Sequence, residues 1–337
     1  VISTSTSPTL PSPAQSQWMK LGYGMFLHFG PNTFNGVGWG DGKFPASGFH
    51  PRKLNPRQWA EAAAEAGMRY AILTTKHHDG FCLWPSAHTG YSVRQSPGAP
   101  DVLGAYVEAF RAAGLTPGLY YSLWDLNYPR YEDDAAYADY MKAQMTELLS
   151  QYGPICQLWF DGGWDKESPT RSWNYDEALN ATVPPAQLKG ERWDWPGLYA
   201  HIKSLQPDCL VLNNTSSHRP GRVRYFPTDL RSSEHFDFLY REEICEPDTR
   251  QVFPDDSGTP RFLPLEYCTS LNPDWFWIEG KFYGHPSVDT ICSWYRRARA
   301  HQANLLLNVG PNKDGLIPAY HCHYLKEAAR VLGSELP

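Results

Sequence analysis

Short apolar runs alternate with segments of helical period along almost the whole chain, and nearly every run stops at a polar residue. The clear runs are 24–27, 70–75, 119–122, 155–160, 209–213 and 304–309, with weaker ones at 230–234 and 262–266. Between them, 56–66, 102–113, 134–149, 195–205, 288–302 and 320–332 carry helical spacing. The first of these is alanine-rich, with Asn55 as its N-cap before Pro56 and Gly67 as its stop. Alternation of this kind predicts a parallel sheet with crossover helices.

Eight strands with polar residues at their carboxyl ends predict a single catalytic (β/α)8-type barrel over residues 18–337, distorted because its fifth to seventh units are irregular. An open doubly wound sheet would carry a glycine-rich phosphate turn directly after the first strand. The run Gly36-Val37-Gly38-Trp39-Gly40 trails that strand and has the wrong spacing. Residues 1–17, rich in Ser, Thr and Pro, read as a disordered or extended tail. A start at Val1 followed by such a stretch resembles a mature terminus left by an export signal, which predicts a periplasmic or secreted protein. The insertion 164–192, aperiodic and without an apolar face, is expected to shape the rim of an active site.

Composition narrows the classes. With 337 residues and a net charge of -6 but no Lys/Arg cluster, the chain lacks the electrostatic footprint of a nucleic-acid partner. No apolar run reaches the length of a membrane span. Seven scattered cysteines without a Cys-x-x-Cys pair argue against a disulfide framework. The 13 Trp and 20 Tyr fill core, and those in glycine-rich loops offer stacking platforms of the kind that suit sugars.

Asp161, in Trp159-Phe160-Asp161-Gly162-Gly163-Trp164, ends the fourth run as a carboxyl among aromatics. Parallel barrels place their chemistry where strands end; the plainer reading is a turn aspartate before glycine. His28, His77-His78-Asp79, and Tyr121 with Trp124-Asp125 end the first three runs. Neighbours on an extended strand face opposite sides, so His77 and His78 share a ligand only if the strand has ended. A metal-dependent hydrolase would use His28, His77 and Asp161; as neutral hydrogen-bond partners, the histidines would instead hold sugar hydroxyls. Glycosidic hydrolysis needs two carboxyl groups. Asp161 supplies one, and Glu234 or Glu266, each read as ending a strand, supplies the other; Glu242, Glu243 and Glu246 have charged neighbours that would not raise a pKa.

Several segments together resemble glycoside hydrolase family 29, the α-L-fucosidases: His28-Phe29-Gly30, Lys76-His77-His78-Asp79-Gly80-Phe81-Cys82-Leu83-Trp84, Gly118-Leu119-Tyr120-Tyr121-Ser122, Leu158-Trp159-Phe160-Asp161-Gly162, and Asn304-Leu305-Leu306-Leu307-Asn308-Val309-Gly310-Pro311 with Asp314-Gly315. The resemblance runs from about residue 18 to 333. It implies a retaining exo-glycosidase that removes terminal α-L-fucosyl residues from glycans, with no cofactor and no metal. It further implies Asp161 as nucleophile, His28, His77 and His78 as sugar-binding histidines, and Tyr121 and Trp159 as pocket aromatics, with Trp39 and Trp275 also at the substrate. A family pattern Asp-Phe-x-Thr-x-Glu is similar to Asp229-Leu230-Arg231-Ser232-Ser233-Glu234, which makes Glu234 the acid/base and leaves Glu266 in reserve.

Two departures stand out. Many members carry Glu-Trp in the first loop where this chain has Gly38-Trp39, so one hydroxyl contact is missing or comes from elsewhere, and an α-L-galactoside becomes the alternative substrate. A wall of Trp275, Phe276 and Trp277 would favour the methyl group of fucose. Many members also append a β-sandwich; this chain stops with the last barrel helix, so no carbohydrate-binding domain is expected. Linkage, aglycone and oligomeric state are not legible.

Overall fold

The computed structural model describes residues 9–97, 100–163, 191–214, 221–234, 248–281 and 285–337. Among the described residues there are ten strands: β1 (Tyr23–Leu27), β2 (Tyr70–Lys76), β3 (Thr116–Ser122), β4 (Gln157–Asp161), β5 (Leu210–Asn213), β6 (Arg231–Glu234), β7 (Val252–Pro254), β8 (Pro260–Phe262), β9 (Leu265–Ser270) and β10 (Asn304–Asn308). Eight form one parallel sheet in the order β5-β4-β3-β2-β1-β10-β9-β6, and β7-β8 is a separate antiparallel pair. The sheet curls into the expected distorted barrel. Among the described residues, its ends meet through an isolated parallel bridge between Leu212 and Leu230. Side chains reinforce that seam: Val211 N–H donates to Asp229 Oδ2 (2.8 Å) and Thr228 Oγ1 donates to Val211 O (3.0 Å).

Strand residues alternate between two cores, as a period of two requires. Met25, Leu27, Ala71, Leu73, Leu119, Tyr121, Leu158 and Phe160 face the helices, whereas Phe26, Tyr70, Ile72, Tyr120, Trp159, Leu212 and Leu306 fill the barrel. Helices α3 (Pro56–Glu65), α4 (Val102–Ala112) and α5 (Asp134–Gln151) and those at Trp195–Leu205, Val288–Ala300 and Ala319–Leu332 follow the strands as predicted. Asn55 caps α3 by accepting from Gln58 N–H. Among the described residues, neither the β5–β6 nor the β6–β9 connection contains a helix, which is where the periodicity failed.

Three features were not anticipated. The tail does not run to residue 17: α1 (Pro13–Leu21) is a capped helix, with Ser12 and Gln15 forming a reciprocal capping box. It closes the amino-terminal end of the barrel. Gln15 Nε2 donates to Asp229 O (2.7 Å) and Phe262 O (2.8 Å), and Trp18 Nε1 donates to Gln157 Oε1 (2.8 Å). Second, a five-residue helix, α2 (Pro31–Asn35), follows β1. Third, Glu266 does not end a strand; it is the second residue of β9, which continues to Ser270. Residues 164–190 of the insertion read as 164–192, and the acids Glu242, Glu243 and Glu246, lie outside the described residues. Among the described residues no helix is long and apolar enough to cross a membrane.

Candidate active site

The carboxyl ends of the strands bring most of the candidate residues together. Asp161 is the last residue of β4, and its inward direction follows from Trp159 two residues earlier, a barrel-filling side chain. Gly162 takes a left-handed turn (φ +71°), and a Cβ there would lie 3.0 Å from Ser122 Oγ and Trp124 Cβ. The glycine therefore explains the turn, and the aspartate is free for another task. Its Oδ2 accepts from Tyr120 Oη (3.0 Å) and its Oδ1 from Asn214 Nδ2 (3.2 Å).

The same Asn214 nitrogen donates to Glu234 Oε2 at 2.6 Å, so one amide bridges the two acids. Their bridged oxygens are at most 5.8 Å apart, the sum of 3.2 and 2.6 Å through that nitrogen. Retaining glycosidases hold their carboxyl groups about 5–5.5 Å apart and inverting ones about 6.5–9.5 Å. Ser232 Oγ donates to Asn214 Oδ1 (2.6 Å), which fixes the amide orientation. Burial, joined by the nearby charge of Asp161, pushes the Glu234 carboxyl up to about 8, against the Asn214 hydrogen bond that favours its ionised form. At neutral pH Glu234 holds a proton to give.

Both tandem histidines reach the same space because β2 has ended. Its register shifts between Thr74 and Lys76, and this irregularity re-aims the residues after it. His77 stacks on Tyr120 (5.5 Å, 13°), and His78 meets Trp39 edge-on (4.7 Å) with its Nε2 3.6 Å from Asp161 Oδ2. Burial holds His77 well below its ordinary range, helped by His78 and His28. Burial also lowers His78 to about 4, with Asp161 opposing and Lys76 adding. Both rings are therefore neutral hydrogen-bonding groups. His78 Nδ1 pairs with Ser122 Oγ (2.6 Å), and that oxygen already accepts from Trp124 N–H (3.0 Å). With Nδ1 engaged by Ser122, the other ring nitrogen, Nε2, is the one that faces Asp161.

His28 completes the trio: Nδ1 pairs with Asn308 Oδ1 (2.8 Å), and its ring stacks on Trp275 (5.0 Å, 30°). Phe276 meets His28 and His77 edge-on at 5.4 and 4.9 Å. Trp159 sits one layer deeper, stacked under Tyr120 (5.5 Å, 20°) and only 2% exposed, so it supports the floor.

Two candidates lie elsewhere. Tyr121 faces the helix side, where its hydroxyl donates to Gln144 Oε1 (2.6 Å) and accepts from Lys76 Nζ (2.9 Å); Tyr120 takes the place expected for it. Glu266 is fully buried inside the barrel, paired across β6 with Ser232, two residues below Glu234. Tyr70 Oη, Gln157 Nε2 and Trp159 Nε1 donate to it at 2.8, 3.2 and 3.0 Å. Although burial raises its carboxyl to about 7, that cage keeps it from any leaving group. Asn214, Tyr120, Ser122 and Asn308 were not foreseen; the polar residue closing or following each apolar run was the available signal.

Among the described residues, no three His, Cys, Asp or Glu side chains converge as a metal site would require. A cleft of about 760 Å³ at the opposite end of the barrel, lined by Leu10, Gln15, Tyr199 and Asp229, holds neither acid of the bridged pair.

A family model described as Alpha-L-fucosidase matches residues 43–334. The chain is 33% identical over 332 residues to alpha-L-fucosidase 1 of Arabidopsis thaliana, covering 96% of this chain and 60% of that protein. A glycoside hydrolase 29 family member from an unknown rumen bacterium has a TM-score of 0.77 at 29% identity, over 97% of this chain and 58% of that one. Alpha-L-fucosidase isoenzyme 1 from Paenibacillus thiaminolyticus has a TM-score of 0.74 at 28% identity, over 96% of this chain and 77% of that one. The chain thus spans less than two thirds of the Arabidopsis relative. By the extent of these matches on the same barrel, this chain belongs to the α-L-fucosidase family, glycoside hydrolase family 29.

Proposed function

We propose that this chain hydrolyses terminal α-L-fucosides of glycans with retention, Asp161 acting as nucleophile and Glu234 as acid/base. The observation that carries the reading is the bridged pair: two carboxyl groups within reach of one amide at the barrel mouth, with burial raising one of them above the ordinary carboxylate range. Asp161 attacks the anomeric carbon while Glu234 gives its proton to the departing oxygen. The ionised Glu234 then takes a proton from water as the water oxygen attacks the anomeric carbon; the bond to Asp161 breaks, the sugar leaves and both acids return to their starting states. Tyr120, Asn214 and His78 surround Asp161 and orient its oxygens, and His28 and the neutral His77 suit sugar hydroxyls. The apolar edge of Phe276 beside both histidines supports fucose, whose carbon six is a methyl, over L-galactose, which carries a hydroxyl there.

The test is turnover of aryl α-L-fucosides and α-L-galactosides, followed by trapping with a 2-fluoro sugar. The fucoside is expected to react faster, the label to fall on Asp161, and Asp161→Ala to release no phenol. Glu234→Gln should slow substrates with poor leaving groups by roughly 10²–10⁴-fold while sparing activated ones. Turnover by Asp161→Ala, or a label on another acid, would remove the assignment.

A further inference from the structure

Gly38 and Asp274 meet across the mouth of the barrel. A Cβ placed on Gly38 would lie 2.5 Å from Asp274 Oδ1 and 3.0 Å from its Cγ and Oδ2, so the Asp274 carboxyl fills the side-chain space that Gly38 leaves open. The Gly38 backbone lies outside the left-handed region, and this overlap is what excludes a side chain there. Each partner is joined to a residue at the site. Trp39, after Gly38, packs on His78, and Trp275, after Asp274, stacks on His28. The carboxyl therefore sits where the two loops flanking the histidine trio come together.

Asp274 is also held firmly. Its carbonyl accepts from Ser270 Oγ (3.1 Å), and Asn308 Nδ2 donates both to that Ser270 oxygen and to Trp275 O, each at 2.8 Å. Asn308 is the residue that orients His28, so one amide positions the histidine and the loop bearing Asp274. In the carboxyl itself, Oδ1 accepts from Trp275 N–H (2.8 Å) and Oδ2 faces Lys281 Nζ at 3.3 Å. A carboxylate offers about four acceptor positions, so further ones remain for a ligand. The side chain is 25% exposed, buried enough for a hydrogen bond to discriminate and open enough to receive one.

We propose that Asp274, in the space vacated at Gly38, is a specificity-determining residue that accepts a hydrogen bond from a ring hydroxyl of the sugar; this rests on the glycosidase reading above. The wild-type enzyme and variants are assayed on an aryl α-L-fucoside and on its 2-, 3- and 4-deoxy analogues. In the wild type, one analogue is expected to lose roughly tenfold to a hundredfold in kcat/KM relative to the parent, the range of a hydrogen bond to a charged acceptor. In Asp274→Ala the parent falls by that factor while the same analogue does not fall further, so that one ratio approaches one and the other two stay as they were. Gly38→Ala leaves Asp274 in place but pushes its carboxyl aside, and it should reduce the same ratio. Asp274→Asn keeps the size and the bond from Trp275 N–H while losing the charge, and should reduce it partway even where the alanine variant does not fold. Equal losses on all four substrates, or unchanged ratios in Asp274→Asn and Gly38→Ala, overturn the proposal. A wild type inert on the parent fucoside overturns instead the reading of activity beneath it, and is visible without any variant.

Discussion

Tyr120 and Tyr121 are adjacent and chemically alike, yet they serve opposite sides of one sheet. Tyr120 Oη donates to Asp161, whereas Tyr121 Oη belongs to a buried network with Lys76 and Gln144. Tyr120→Phe should therefore lower kcat/KM roughly tenfold to a hundredfold, as for a lost hydrogen bond to a charged group, with little change in Tm. Tyr121→Phe should do the reverse: leaving Gln144 and Lys76 each short of a partner costs about 1–3 kcal/mol, while kcat/KM holds. Steady-state kinetics and thermal melts of the two variants separate these outcomes. The pair also shows where sequence reading stops. The strand-end positions of Asp161 and Glu234 were legible because a carboxyl closing an apolar or extended run is conspicuous. Both faces of a strand in a parallel barrel are buried, so two tyrosines carry no mark of which points inward. Asn214 was missed because an amide does not titrate and excites no search for acid–base chemistry. Glu266 was misplaced because β9 begins, rather than ends, beside it.

At the scale of elements, α1 carries the clearest consequence. Nine residues that include a proline, one serine and two glutamines have little intrinsic helicity, which is why this stretch reads as tail. Its helix exists through tertiary contact: Trp18 is 2% exposed against the barrel interior, and Asn304 Nδ2 donates to Trp18 O (2.9 Å). Trp18→Ala should cost about 3–5 kcal/mol, the usual range for emptying a buried aromatic site. The activity of the folded variant should stay near wild type, because Trp18 lies at the end of the barrel away from Asp161. A denaturation curve with kinetics measured below the transition checks both halves. A large loss of kcat/KM with unchanged stability would mean that the two ends of the barrel are coupled.

The whole molecule closes at one seam, and the acid pair lies across it. Asp161 ends β4, Glu234 ends β6, and between them, among the described residues, β5 meets β6 through one isolated bridge of Leu212 and Leu230, so Asn214, just past β5, spans the weakest join in the barrel. The pH behaviour should report that join. In the proposed acid role Glu234 must be protonated, so kcat/KM should fall as pH rises through about 8. Stability follows the same sign. The folded carboxyl holds its proton to about 8 against an ordinary value of 4.5, so its contribution is full below about 4.5 and is lost as pH climbs through 8. Asn214→Ala removes a hydrogen bond that favours the ionised form, so the alkaline limb should move above 8, and the plateau should drop because Asp161 Oδ1 loses the same donor. Glu234→Gln should abolish the limb altogether. Profiles of kcat/KM against pH for the three proteins decide the matter: a limb that stays near 8 in Asn214→Ala, or that survives in Glu234→Gln, would assign the titration to a group outside this bridge.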